Sequence, residues 1–285
     1  MSLSFAFRPP APGRKPSTVL ITGAAGRIGL ELSRALRDDF QLRLMLRPGG
    51  SEEPELCGFG EVVEVDLEDL EGLKKACHGM DVVVHLAGDP DPSAAWSSLL
   101  QSNIIGTYHV LVAAKSAGCD KVILASSIHA VSGYPRDVQV KTTDPVNPGD
   151  LYGVSKCFLE ALGRYFSTQE GLPVIALRIA AFQPLETARA DKGLTMLDAF
   201  VSWRDLIELI RLCIEDQRLQ FALFHGLSDN RFKRLDISDA RELLGFAPQD
   251  DLTEENPKLA PLNLDETVRA HSQKDGQDSG IREDL

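Results

Sequence analysis

Short apolar runs alternate with amphipathic stretches along most of the chain. Val19-Leu20-Ile21 has no polar break, the pattern of a strand covered on both faces. Leu30, Leu32, Ala35 and Leu36 then recur at helical spacing towards Asp38. The rhythm repeats. Leu42–Leu46 and Glu61–Val65 read as strands, Asp69–His78 as a helix and Asp81–Gly88 as a fourth strand. Trp96–Ala117 reads as one long helix, Lys121–Ser126 as a fifth strand, Asp150–Thr168 as a helix and Val174–Ile179 as a sixth strand. Strand, helix, strand in this order predicts an α/β fold, a doubly wound parallel sheet with helices on both faces.

Beyond Ile179 the pattern changes. Phe182-Gln183-Pro184 interrupts it and a polar loop runs through Lys192. Trp203–Glu215 returns to helix, Phe221–Phe224 reads as a strand, and Asp236–Leu244 as a short helix stopped by Gly245. The expected organisation is a flexible arm over 1–16, a ligand-binding sheet domain over 17–180, a small substrate-binding lid over 181–252, and a polar, disordered tail over 253–285.

The bulk numbers narrow the class. In 285 residues the chain is 43% hydrophobic and 25% charged, as soluble globular proteins are, with a formal net charge of −12 that argues against a broad nucleic-acid-binding face. Five scattered cysteines without paired ligand spacing read as reduced thiols, and the six histidines form no metal motif. No run is long enough to cross a bilayer, and the proline-bearing leader is no secretion signal, so a cytoplasmic protein is expected.

Chemistry enters at two places. Gly23, Gly26 and Gly29 follow the first strand at a spacing of three and open a helix. Such a turn lets a pyrophosphate approach backbone closely while free helix amides donate to it. Tyr152 and Lys156 are four residues apart in a helical pattern, so their side chains share a face. An ammonium beside a phenol favours the phenolate and makes tyrosine a usable base. Ser127, at the end of the fifth strand, lies at the sheet edge where such folds gather ligands, able to donate to the oxygen that Tyr152 deprotonates.

Together these features resemble the extended branch of the short-chain dehydrogenase/reductase family, the NAD-dependent epimerases and dehydratases. The resemblance covers roughly residues 18–250 and rests on Thr-Gly-x-x-Gly-x-x-Gly at Thr22–Gly29 and Tyr-x-x-x-Lys at Tyr152–Lys156. It implies a Rossmann-type sheet and an NAD or NADP cofactor touched by Gly23, Ala25, Gly26, Arg27, Ile28, Gly29, Arg47, Asp66, Leu67, Leu86, Ala87, Gly88, Tyr152 and Lys156. It also implies that Asn103 helps organise a proton relay with Ser127, Tyr152 and Lys156, and that Arg178 and Pro184 border the nicotinamide. Within the family, Leu86–Pro90, Ser126–Ala130, Leu151–Lys156 and Val201–Asp205 are most similar to uronate dehydrogenases and to a halophilic NAD-dependent glucose-6-phosphate dehydrogenase. The implied reaction is oxidation of a sugar's anomeric hydroxyl to a lactone. Asp89, Pro90, Ser127, Ile128, His129 and Arg204 would then meet a sugar, sugar acid or sugar phosphate.

Three departures bear on substrate and cofactor. Ile128 stands where uronate dehydrogenases carry asparagine, and Thr195 near where their carboxylate-binding arginine aligns, leaving Arg189, Lys192 or Arg204 to compensate. Arg204 reads equally as a solvated helix residue. The second strand ends Met45-Leu46-Arg47, without the acidic residue that receives an adenosine ribose; Arg47 or Arg27 is a match for a 2′-phosphate, so both NAD and NADP stay open. His85, in an apolar strand, reads as a packed histidine, and His129 has no carboxylate beside it in sequence. Two other accounts use the same residues: a sugar-nucleotide epimerase or dehydratase that retains its cofactor, and a non-catalytic dinucleotide-binding regulator. A homo-oligomer pairing the helices at Trp96–Ala117 and Asp150–Thr168 is a further expectation.

Overall fold

The structure, a computed structural model, describes residues 4–8, 16–50 and 54–259. In chain order its strands are β1 (Phe5–Phe7), β2 (Thr18–Thr22), β3 (Gln41–Leu46), β4 (Glu61–Glu64), β5 (Val82–His85), β6 (Lys121–Ser127), β7 (Val174–Ile179), β8 (Ala181–Gln183), β9 (Phe200–Ser202) and β10 (Leu219–Gly226). Its helices are α1 (Arg27–Leu36), α2 (Leu70–Cys77), α3 (Trp96–Leu99), α4 (Gly106–Ala117), α5 (Leu151–Thr168), α6 (Leu185–Arg189), α7 (Trp203–Glu215), α8 (Ser238–Leu244) and α9 (Leu252–Glu255).

Eight strands form one sheet in the order β1-β10-β7-β6-β5-β2-β3-β4, with β8 and β9 paired apart from it. Every neighbour from β10 to β4 is parallel, as the alternating pattern predicts. Strand order reverses between β2 and β5, and the crevice beyond their carboxyl ends is where such sheets take ligands.

Side-chain alternation divides the core into two layers. Val19 and Ile21 of β2, Ile123 of β6, and Ile175 and Leu177 of β7 face the side covered by α1 and α7, meeting Leu32, Leu36, Leu206 and Leu209. Leu20, Val122, Leu124, Val174 and Ala176 face the other side, against Leu73 of α2, Leu111 of α4 and Leu159 of α5. The same parity puts two buried charges on opposite layers. Lys121 points towards α7 and donates to the carbonyls of Cys213, at 2.7 Å, and Asp216, a cation closing a helix C-terminus. Arg178 points towards α5.

Several sequence expectations shift. Within the supposed arm, Phe5–Phe7 pairs antiparallel with β10, and the Phe5 ring packs, tilted, against Phe224 with centroids 5.5 Å apart. The supposed lid over 181–252 contributes β10 to the main sheet and α7 to its covering layer, so its apolar residues serve the same core. The tail begins in order: Asp251 caps α9 through Thr253 N, and buried Asn256 donates to Ala188 O at 2.7 Å. Residues 260–285 lie outside the described residues. The long helix at 96–117 carries a wider π turn over Leu100–Ile105 between α3 and α4. Tyr108 on α4 and Leu151, Val154, Phe158 and Tyr165 on α5 stand exposed. No described helix is long and apolar enough to cross a membrane.

Phe5→Ala removes the ring that covers Phe224 at the sheet edge and should cost about 2 kcal/mol, allowing for partial exposure. Urea unfolding should show a lower midpoint with an unchanged slope.

Candidate active site

The glycine turn and the end of β5 meet at the strand reversal. Gly23 adopts φ +68°, and a Cβ there would lie 2.8 Å from Ala87 N. A Cβ on Gly29 would lie 2.3 Å from Gly23 O, so neither position tolerates a side chain. Helix α1 starts after Gly26 with no side-chain cap and no acid in its first turn. Its leading amides are therefore unclaimed by any side chain, an arrangement that fits a dinucleotide's pyrophosphate.

Thr22 and His85 hold this junction together. Thr22 Oγ1 accepts from Leu86 N and Ala87 N, each at 3.2 Å, and lies 2.8 Å from His85 Nδ1. With both amides donating to it, the hydroxyl gives its own proton to Nδ1. His85 then carries its proton on Nε2, facing Thr107 Oγ1 at 3.4 Å. Burial, helped by Lys156, pushes the His85 pKa down to about 3, so the ring is a neutral structural link, as the sequence expectation has it.

The other residues expected at the cofactor divide. Leu86 and Ala87 border the glycine turn at Gly23, while Gly88, at φ 152°, faces Asn103 Oδ1. Asp66 Oδ1 accepts from Glu68 N at 2.9 Å, and Leu67 O receives the Nδ1–H of His109 at 2.8 Å. Ala25 and Ile28 pack against the core. Arg27 reaches across to Phe182 O at 2.8 Å, while Arg47 stays exposed just past β3.

Tyr152, Lys156 and Ser127 converge at the other side of the crevice. Asp150 caps α5 by accepting from Gly153 N at 2.7 Å, and Tyr152 and Lys156 follow in the next turns, both buried. Lys156 Nζ lies 5.3 Å from the Tyr152 ring centroid and donates to Ala125 O at 2.9 Å. Burial lowers the Lys156 pKa to about 8. Burial also raises the Tyr152 pKa; a hydrogen bond with Ser127 opposes that, and the charges of Asp150 and Asp89 add to it. Ser127 Oγ further accepts from His129 N at 3.2 Å.

Asn103 sits in the π turn, buried, and pins the loop after β5. Its Oδ1 accepts from Asp89 N at 2.7 Å, and its Nδ2 donates to Asp89 O and to Ser155 Oγ, both at 3.1 Å. The wider turn aims this side chain from the helix into the loop, a recurring use of π turns. Asp89 accepts from Ser98 Oγ at 2.5 Å, while Pro90 beside it is exposed. Ile128 packs with Val131, Val140 and Leu227.

Other expected contacts are redirected. Arg178 forms a bidentate pair with Glu160 at 2.9 Å on both arms, with Ser126 Oγ donating to the same carboxylate at 2.6 Å. Its parity in β7 turns it into the α5 layer, so it supports the site from beneath. Arg204 is paired with Asp250 and Arg189 with Glu255, so both charges are already met. His129, without a carboxylate nearby in sequence, has one in space: its Nδ1 lies 2.6 Å from Asp150 Oδ2. Sequence reasoning missed Glu160 and Asp150: in the pattern they are only an interior position of the helix over 150–168 and its first residue.

Glu160→Gln should leave Arg178 buried without its counter-charge and cost about 3–5 kcal/mol in urea unfolding. Gly29→Ala should abolish dinucleotide binding in a fluorescence titration, since the added methyl forces the turn and α1 apart.

Comparison with known proteins places this geometry. The model of the NAD dependent epimerase/dehydratase family matches residues 19–183. The chain is 35% identical to the NAD-dependent glucose-6-phosphate dehydrogenase of Haloferax volcanii, over 86% of this chain and 98% of that protein. It is 39% identical to the L-arabinose 1-dehydrogenase (NAD(P)(+)) of the same organism, over 56% of this chain and 65% of that protein. The crystal structure of a mutant uronate dehydrogenase from Agrobacterium tumefaciens complexed with NAD matches with a TM-score of 0.74 at 29% identity, covering 90% of this chain and 91% of that one. With its glycine turn, Tyr-x-x-x-Lys helix and parallel sheet, the chain belongs to the NAD dependent epimerase/dehydratase family, the extended branch of the short-chain dehydrogenases/reductases.

Proposed function

We propose that this protein is an NAD(P)-dependent dehydrogenase that oxidises the anomeric hydroxyl of a free sugar to a lactone, with Tyr152 as base, Lys156 as its electrostatic partner and Ser127 as the orienting donor. The observation that carries this reading is the convergence of these three side chains beside a turn fitted for a dinucleotide. When bound, the nicotinamide supplies the hydride acceptor. Ser127 would hold the anomeric hydroxyl and Tyr152 Oη would take its proton as the C–H electron pair goes to that acceptor, leaving the lactone carbonyl.

The residues around Tyr152 favour a neutral sugar over a uronate or a sugar phosphate. Asp89 and Asp150 both act on the Tyr152 hydroxyl as negative charges. Arg189 and Arg204, two of the cations considered for an anionic substrate, are held by Glu255 and Asp250. An anion placed there would face two carboxylates. For the cofactor, the end of β3 carries no acid to select against a 2′-phosphate, so both NAD and NADP are expected to serve.

The pH dependence follows from the pair. Tyr152 is raised and Lys156 is lowered to about 8, so a neutral phenol beside a neutral amine is the singly protonated form of the resting protein. That form has the same proton count as phenolate beside ammonium, the arrangement that takes the substrate's proton. Activity therefore belongs to the pair after it has lost one proton of two. In sugar oxidation, kcat/KM should rise with pH up to about 8 and then level. Lys156→Met should move the rise to higher pH, because a buried phenol without the amine ionises later.

The direct test is a panel of aldoses, uronates and sugar phosphates with NAD and NADP separately, following nicotinamide reduction. Turnover should be fastest with a neutral aldose, and Tyr152→Phe should lower kcat at least about a hundredfold while cofactor affinity stays. No turnover with any sugar, despite cofactor binding, overturns the assignment.

A further inference from the structure

Asp150 does two things with one carboxylate. Its Oδ1 accepts from Gly153 N at 2.7 Å and closes the start of α5, the helix of Tyr152 and Lys156. Its Oδ2 lies 2.6 Å from His129 Nδ1. His129 belongs to the short turn after β6 that begins at Ser127, and its ring stands edge-on to Tyr152 with centroids 5.3 Å apart. The two backbones are close as well: a Cβ on Gly153 would lie 2.3 Å from His129 O. The strand end that holds Ser127 and the helix that holds Tyr152 are thus joined at this one carboxylate.

We infer that Asp150 is a positioning residue, which fixes His129 with its proton on Nδ1 and its Nε2 lone pair available to accept from a hydroxyl of the sugar. A carboxylate can only accept, so Nδ1 donates to it and the acceptor of the neutral imidazole is Nε2. The His129 side chain keeps about a third of its surface exposed beside Tyr152, and among the described residues the hydrogen bond of its ring is the one at Nδ1. The role of His129 towards sugar rests on the dehydrogenase reading above; the role of Asp150 in setting the His129 proton does not.

The alternative is that Asp150 is a helix cap whose second oxygen is idle, and serine separates the two. Serine caps helices about as well as aspartate but offers a single oxygen. Asp150→Ser should therefore keep the helix cap and the cofactor affinity while releasing His129. Asp150→Asn also caps, and turns an amide N–H towards His129 Nδ1, which moves the ring proton to Nε2. Long-range ¹H–¹⁵N spectra of the histidine side chains of the full chain read this without substrate: the His129 proton should be on Nδ1 in the wild type and on Nε2 in Asp150→Asn.

In steady-state assays with the best sugar of the panel, Asp150→Ser and Asp150→Asn should each raise KM about tenfold, with a much smaller change in kcat, as loss of one oriented hydrogen bond requires. His129→Ala in the Asp150→Ser background should add little. Spectra that place the wild-type His129 proton on Nε2 overturn the inference. So does an Asp150→Ser enzyme with wild-type KM, or losses from Asp150→Ser and His129→Ala that multiply. A wild type inactive on every sugar defeats the dehydrogenase reading and with it the role of His129 towards sugar; the spectra still judge the role of Asp150 separately.

Discussion

The face that α5 turns towards β6 and β7 carries a row of polar side chains beside the apolar Leu159 and Phe166, and the site depends on how that row is satisfied. Tyr152, Lys156 and Glu160 follow one another at intervals of one helical turn. Each is hooked to the strand side: Tyr152 to Ser127, Lys156 to Ala125 O, and Glu160 to Ser126 and Arg178. Below them the helix comes close at Gly163, where a Cβ would press on Leu124 and Val174. Taking the Glu160–Arg178 pair out of water costs several kcal/mol per ion before their attraction and the added hydrogen bonds return it. What the pair contributes is the height and rotation of α5 on the sheet. An apolar interface would allow small slips; a bidentate pair with a third donor does not.

Rotation of α5 matters because the proposed chemistry needs two oxygens from different elements at one point. Ser127 comes from the end of β6 and Tyr152 from the second residue of α5. The cap at Asp150 sets where the helix begins, and the buried pair at Glu160 sets how it lies. Between these two anchors, Lys156 is buried beside the Tyr152 ring with a single backbone acceptor. Its ammonium is poorly solvated there, so its affinity for a proton falls while that of the phenol rises. Both shifts have the same leading cause, the exclusion of water, to which the charges of Asp150 and Asp89 add for Tyr152.

The cofactor end is built on the opposite principle, a lack of side chains. At Gly23 and Gly29 the backbone of the turn, the start of α1 and the end of β5 come closer than any Cβ permits. The polar groups that would be stranded by such contact are gathered by Thr22 and the neutral His85. Asn103 plays the matching part for the loop after β5, using both its donor and its acceptor on Asp89. These buried polar residues hold the walls of the crevice in place.

Local pattern determined the seven parallel strands of the main sheet, most of the helices and the two stretches proposed to carry chemistry. An unbroken apolar run has to be covered on both faces, glycines at 23, 26 and 29 admit backbone where side chains would not fit, and a Tyr and Lys four apart share a helix face whatever the rest does. Phe5–Phe7 was illegible because its partner β10 lies more than two hundred residues away in sequence, and a three-residue strand has no pattern of its own. Arg178, Arg204 and His129 were legible as charged or polar residues near the site, but not in their use. Their partners Glu160, Asp250 and Asp150 come from other elements. Strand parity, helix rotation and loop closure decide which carboxylate each one meets, and those exist only once the chain is folded.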